Sequence, residues 1–232
     1  MPVDATTSTA PADAATPAGF VGLLGRERAS AILRCDDQRM AAAAMEAAVR
    51  AGFRVVEFTL TIPGALELVA DFARRGDVVV GAGTVLAVEQ AEAAVAAGAR
   101  FLVSPVVDAA VIRRAGELGV AAMPGAHTPT EMLAAHHAGA PLLKLFPAPA
   151  GGAAWLRSVL APLPFLKVVP TNGVDAGNAG EWLAAGAFAA GFVAPLFPAD
   201  ALARRDWGEI EARGRRILAA VRGAPPATDR RS

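Results

Sequence analysis

Two residues of this 232-residue chain have the type and setting for covalent chemistry on a carbonyl. Lys144 sits in PLLKLFP (141–147), a run that otherwise reads as buried strand, and Glu57 sits in RVVEFTL (54–60). An amine attacks a ketone only without its proton. Lowering its pKa from about 10.4 to about 7 takes roughly 4–5 kcal/mol, which an apolar wall supplies by desolvation and a neighbouring carboxylate opposes. Two readings of the pair follow. As a buried ion pair it adds little stability, because desolvation offsets the attraction. As a Schiff-base lysine beside a carboxylate, it has a nucleophile and a proton shuttle. The second reading is preferred, because charged groups are seldom buried without a purpose.

Side chains alternate along a strand, so Leu142, Lys144 and Phe146 share one face and Leu143 and Leu145 the other. What must position them is a repeat: an alanine-rich helix end, a glycine, then an apolar β-type run. It recurs as RAGFRVVEF, RRGDVVVGAG, AAGARFLVS, ELGVAAMPG, HAGAPLLKLF and AAGAFAAGFV, around Gly52, Gly76, Gly98, Gly119, Gly139 and Gly186. A unit of about 20 to 24 residues holds one strand and one helix, and the glycine is the left-handed cap expected between them. With SAILR at the start and FLKVVP before the last unit, there are eight strands. They are expected at roughly 30–34, 54–58, 78–82, 101–104, 120–123, 141–145, 167–170 and 188–193. Eight parallel strands with amphipathic helices predict an α/β fold of the (β/α)8 TIM-barrel type, one domain over 19–222 with disordered tails at 1–18 and 223–232. An open doubly wound sheet gives similar local patterns. In a barrel, chemistry lies at the strand C-terminal ends. Those ends carry Arg34, Glu57, Thr59, Thr61, Thr84, Ser104, His127, Thr128, Lys144, Thr171 and Asn172.

Composition limits the partners. Twenty-two basic and twenty-two acidic residues cancel, which removes the electrostatic footprint of a nucleic-acid or anionic-membrane binder and leaves a small molecule. One cysteine, Cys35, excludes an internal disulfide framework and a cysteine-rich metal site, and fits packing in a reducing cytoplasm. No run of about 18 apolar residues and no signal-peptide pattern occurs. His127 reads as a loop histidine, with proton transfer as its alternative. His136 and His137 fall at a helix end away from the chemistry and do not face one another. Thr128-Pro129-Thr130-Glu131 reads as a helix N-cap. GAGT lacks the third glycine of a dinucleotide fingerprint. Trp155, Trp182 and Trp207 lie on expected helices.

The ordered motifs VVEFTL, VGAGTVL, FLVSPVVD, MPGAHTPTE, LLKLFPA and PTNGV, spread over roughly residues 20–200, resemble the class I 2-keto-3-deoxy-6-phosphogluconate aldolases, also called 4-hydroxy-2-oxoglutarate aldolases. The resemblance implies a homotrimer of small barrels that needs no metal or other cofactor. It implies Lys144 as the Schiff-base lysine, Glu57 as the catalytic carboxylate, and Thr84 and Thr171 on the pyruvyl part. The implied substrate is a 2-oxo acid that yields pyruvate. Ser104, Pro105 and Phe146 complete the expected pyruvate side.

Two departures bear on substrate choice. Many members carry an arginine for the substrate carboxylate where Thr61 stands here, and Arg34 is the candidate substitute. The family's phosphate corner uses a Gly-Gly turn and a Gly-Ser pair. Here the positions are Asn172-Gly173 and Gly191-Phe192-Val193. A lost serine donor to a charged group removes on the order of 1.5–3 kcal/mol, so a nonphosphorylated acid such as 4-hydroxy-2-oxoglutarate gains weight. Two other classes stay open: a noncovalent phosphate-ligand enzyme of the isomerase, decarboxylase or synthase type, and a barrel that binds but no longer catalyses.

Overall fold

The computed structural model describes residues 12–225. Eight parallel strands run β1 (Ala29–Leu33), β2 (Val55–Thr59), β3 (Val79–Gly83), β4 (Phe101–Ser104), β5 (Ala121–Ala126), β6 (Leu143–Leu145), β7 (Val168–Pro170) and β8 (Ala190–Phe192). Their order around the sheet is β7-β6-β5-β4-β3-β2-β1-β8. A Thr171–Gly191 bridge and the Phe188 N–H to Val168 carbonyl bond join β7 to β8 and close the barrel. Each strand lies within three residues of its expected bounds.

The helices are α1 (Pro17–Glu27), α2 (Gln38–Ala51), α3 (Ala65–Ala73), α4 (Val88–Ala96), α5 (Ala109–Glu117), α6 (Pro129–His137), α7 (Gly152–Leu160), α8 (Ala179–Ala184), α9 (Ala199–Arg204) and α10 (Trp207–Gly223). Local chemistry sets their ends. Asp37 and Asp108 accept backbone N–H bonds at the starts of α2 and α5, and Thr128 and Glu131 form a reciprocal capping box on α6. At Gly52 the chain turns left-handed (φ 116°) and its N–H returns to α2 carbonyls, a conformation that a Cβ disfavours. Gly76 keeps an ordinary φ, so it marks the repeat without serving as a left-handed cap.

Alternation on the strands builds two cores. Outward residues such as Val56, Phe58, Leu143 and Leu145 pack under the helices, while Val55, Val79, Phe101, Val103, Met123, Leu142 and Val169 fill the interior. The interior is sealed from below by α1, whose Phe20 ring stacks on Phe101 at 4.3 Å between centroids. Composition predicts a loose tail up to residue 18. Ala12–Ala15 instead form a 3-10 turn and Pro17 opens α1, because Phe20, Leu23 and Leu24 gain a buried apolar floor to pack on. Residues 1–11 and 226–232 of the expected tails lie outside the described residues. At the other end of the chain, α10 runs to Gly223.

Candidate active site

The upper interior differs in residue type from the lower one. Glu57 continues the inward face of Val55 on β2 and has no exposed surface; Lys144 continues the face of Leu142 on β6 and is 8% exposed. Room for the carboxyl comes from glycine. A Cβ on Gly83 of β3 would stand 2.0 Å from Glu57 Oε1. In the same way Gly81 admits the Phe101 ring, Gly125 admits the Pro105 backbone carbonyl, and Gly191 leaves space for Thr171 Oγ1. Two glycines two residues apart on one strand, in VGAG, were the signal for this and the expectation passed over it.

Neither oxygen of Glu57 meets a protein donor, and the Lys144 amine makes no hydrogen bond or ion pair among the described residues. Burial raises the Glu57 carboxyl above its ordinary value; the charges of Lys144 and Arg34 moderate the rise. Burial likewise lowers the Lys144 amine; Glu57 opposes this and Arg34 adds to it. Both shifts favour the uncharged forms. The two are coupled electrostatically without a salt bridge among the described residues. The Lys144 Nζ lies over the Phe146 ring, 4.8 Å from its centroid, where the ring face favours a cation.

Arg34 lies just past β1 on the exposed rim, and its guanidinium donates to Thr84 Oγ1 at 3.1 Å. Thr84 follows β3 with φ 60°, a strained conformation for a β-branched residue, of order 1–3 kcal/mol. Thr61 is exposed, and its hydroxyl pairs at 2.8 Å with that of buried Thr59. Ser104 ends β4 with its Oγ accepting from the Val106 N–H at 3.2 Å, a local backbone role. Thr171 is buried above Val169, and its Oγ1 meets no protein partner. Asn172 (φ 63°) and Gly173 (φ 99°) form an exposed left-handed turn. Gly191 is buried on β8. Phe192 turns outward to pack edge-on with Phe53, so only its backbone reaches this corner, and the half-buried Val193 follows it. No side-chain hydroxyl stands on the 191–193 segment.

Cys35 is half-buried, its thiol donates to the Asp37 carbonyl, and burial pushes its pKa up, all of which suits packing. His127 is an exposed loop residue, and His136 and His137 fall in the last turn of α6. Trp155, Trp182 and Trp207 lie on α7, α8 and α10 as expected. Among the described residues no group of three or more His, Cys, Asp or Glu could hold a metal ion. No helix there is long and apolar enough to cross a membrane.

A family model described as "Aldolase: KDPG and KHG aldolase" matches residues 23–213. The 2-dehydro-3-deoxy-phosphogluconate aldolase of Treponema pallidum is 34% identical over 75% of this chain and 84% of its own length. The 2-dehydro-3-deoxy-6-phosphogalactonate aldolase of Escherichia coli K12 is 36% identical over 73% and 84%. Among solved structures, a KDPG aldolase from Legionella pneumophila with pyruvate captured as a covalent carbinolamine superposes with a TM-score of 0.76 at 25% identity. The match covers 85% of this chain and 97% of that one.

Proposed function

The chain belongs to the KDPG and KHG aldolase family, and from that premise we propose that it cleaves a 4-hydroxy-2-oxo acid into pyruvate and an aldehyde through an imine on Lys144. The observation that supports the assignment of roles is the buried pair on the interior wall: burial moves the Lys144 amine on β6 toward the free nucleophile and the Glu57 carboxyl on β2 toward the proton-carrying acid, the two forms in which the cycle begins.

The proton count then closes on one carboxyl. The Lys144 amine attacks the C2 ketone, Glu57 gives its proton to the departing hydroxyl, and water leaves behind an iminium. Glu57, now a carboxylate, takes the proton of the C4 hydroxyl; the C3–C4 bond breaks, its electron pair moves into the iminium, and the aldehyde departs from a neutral enamine. The same carboxyl returns its proton to C3, and hydrolysis restores the amine and the acid. Phe146 under the nitrogen favours the cationic stage. Thr84, held by Arg34, and Thr171, with its unpartnered hydroxyl, are assigned to the pyruvyl end, and Arg34 to the substrate carboxylate in place of the arginine that Thr61 replaces.

The aldehyde end is assigned to the corner of Asn172, Gly173 and Gly191–Val193. A valine and no serine there support weak phosphate recognition, so the advantage of a 6-phosphate over the nonphosphorylated acid should stay below about tenfold. We assign the protein to the cytoplasm and to a homotrimer. In support of assembly, Leu86 and Val106 are about half exposed (50% and 49%) beside the mouth, and a groove of about 440 Å³ is lined by Leu60, Ile62, Ala65 and Leu66. Light scattering should return three times 23.6 kDa.

Incubation with pyruvate, borohydride reduction and peptide mapping tests the central claim. A pyruvyl adduct on Lys144 is expected. A folded protein with no adduct would overturn it in favour of a noncovalent barrel enzyme or a binding protein.

A further inference from the structure

His127 stands outside the roles assigned so far, yet it is held from two directions. Its backbone N–H, with the N–H and hydroxyl of Thr128, donates to Glu131 Oε2, which keeps that carboxyl below the usual carboxylate range. Its ring Nδ1 lies 2.9 Å from the Pro147 carbonyl oxygen, and the ring stacks on Trp155 of α7 at 24° and 6.1 Å between centroids. A carbonyl only accepts, so Nδ1 carries the proton of this bond.

The partner of this bond is the segment just past β6. Gly125 of β5 pairs in register with Lys144, and His127, two residues on, continues the Gly125 face at the mouth. Residues 146–148 leave β6 under three hydrogen bonds: Phe146 N–H to the Ala126 carbonyl (3.3 Å), Ala148 N–H to the Asn172 carbonyl (3.1 Å), and His127 to Pro147. Among the described residues, His127 is the one side chain that hydrogen-bonds this segment. The segment carries Phe146, whose ring lies 4.8 Å from the Lys144 Nζ.

We propose that His127 is a positioning residue: it latches the loop after β5 onto the loop after β6, and so holds the Phe146 ring against the nitrogen of Lys144. The catalytic side of this inference rests on the imine reading above. The latch itself is a property of the fold.

The imidazole is exposed, so substitutions leave the core intact. Three variants separate its parts. His127→Ala removes donor and ring; His127→Phe keeps a ring against Trp155 without a donor; His127→Asn places an amide N–H where Nδ1 was. Hydrogen exchange of the Phe146 and Ala148 amides should quicken at least about fivefold in the alanine and phenylalanine variants, with β6 unchanged, and return toward the native rate in the asparagine variant. The kcat should fall about three- to tenfold in the first two with KM within about twofold, because the ring acts on the cationic stage, and recover with asparagine.

Native exchange and native kcat in His127→Ala would overturn the proposal, as would failure of asparagine to recover what alanine loses. Exchange needs no substrate. If the unsubstituted protein traps no pyruvate, the aldolase reading fails while the exchange result still decides the latch.

Discussion

The lower and upper halves of the barrel interior are built on the same strands and do opposite things. On β2, Val55 and Glu57 face the same axis two residues apart, as do Leu142, just before β6, and Lys144 on it. The lower member of each pair is core, closed off by Phe20 and Leu24 of α1. The upper member is an ionisable group, and on β2 the room for it comes from the missing side chain of Gly83 on the neighbouring strand. The lower half reaches low free energy by filling space. The upper half places Glu57 and Lys144 in the same low dielectric, which shifts both toward their uncharged forms. The lesson is that burial does both jobs, and the residue type two positions along decides which.

Breaking the upper half should have the largest effect on activity. Lys144→Met removes the nucleophile; turnover should fall at least about 10³-fold and the pyruvyl adduct should vanish. The fold should gain. Below the ordinary lysine value of 10.5, the unfolded chain binds a proton at this site that the native state resists, so native stability is lost as pH falls from 10.5 toward the lowered value. The methionine variant should therefore melt higher than the wild type at neutral pH, with the gap closing as pH rises from the lowered value toward 10.5. Equal melting temperatures across that range would show that Lys144 is not desolvated.

Glu57→Gln comes next, at about 10²- to 10⁴-fold lower kcat, with imine formation slowed because the acid that dehydrates the adduct is gone while the Lys144 nucleophile remains. Its sharper readout is pH. Glu57 raises the amine pKa, so without it the acid limb of borohydride trapping should move to lower pH, whereas Arg34→Gln, which removes a charge that lowers that pKa, should move it up. Shifts in the same direction for both would break the electrostatic account.

The lower half is tested by Phe101→Ala. It leaves a cavity under Phe20 and beside Gly81 and should cost about 3–5 kcal/mol, a fall of roughly 10 °C in Tm, with activity per folded molecule within about threefold. A collapse of kcat at a temperature where the variant is folded would mean that the two halves are not separable. The smallest effect is expected at Ser104→Ala. Its hydroxyl serves the Val106 N–H, so activity should stay within about twofold, measured as kcat/KM on the cleaved acid.

Much of this was readable without coordinates where the signal is local. The glycine-marked repeat, with two apolar runs that lack its glycine, located the eight strands to within three residues, because strand alternation and helix capping depend on neighbours in sequence. The same alternation put Lys144 on the face of Leu142, and Thr128 and Glu131 announced their capping box through spacing alone. Ser104 was expected among the substrate contacts; its Oγ accepts from the Val106 N–H, which leaves its own proton free to donate. Phe192 was a candidate for the phosphate corner, and strand parity turned its ring into the outer core.

What the sequence by itself determined is therefore the period, the inward face of each strand and the two ionisable residues on it, all set by interactions a few residues long. Tertiary structure alone decided the rest: α1 as the floor through Phe20 on Phe101, Gly83 as the space for Glu57, Arg34 on Thr84, and His127 on the Pro147 carbonyl. Each of these joins separate strands or loops, and its geometry exists only once the barrel has closed. The pKa shifts of Glu57 and Lys144 belong here too, since desolvation is a property of everything packed around a group and not of the residues beside it in the chain.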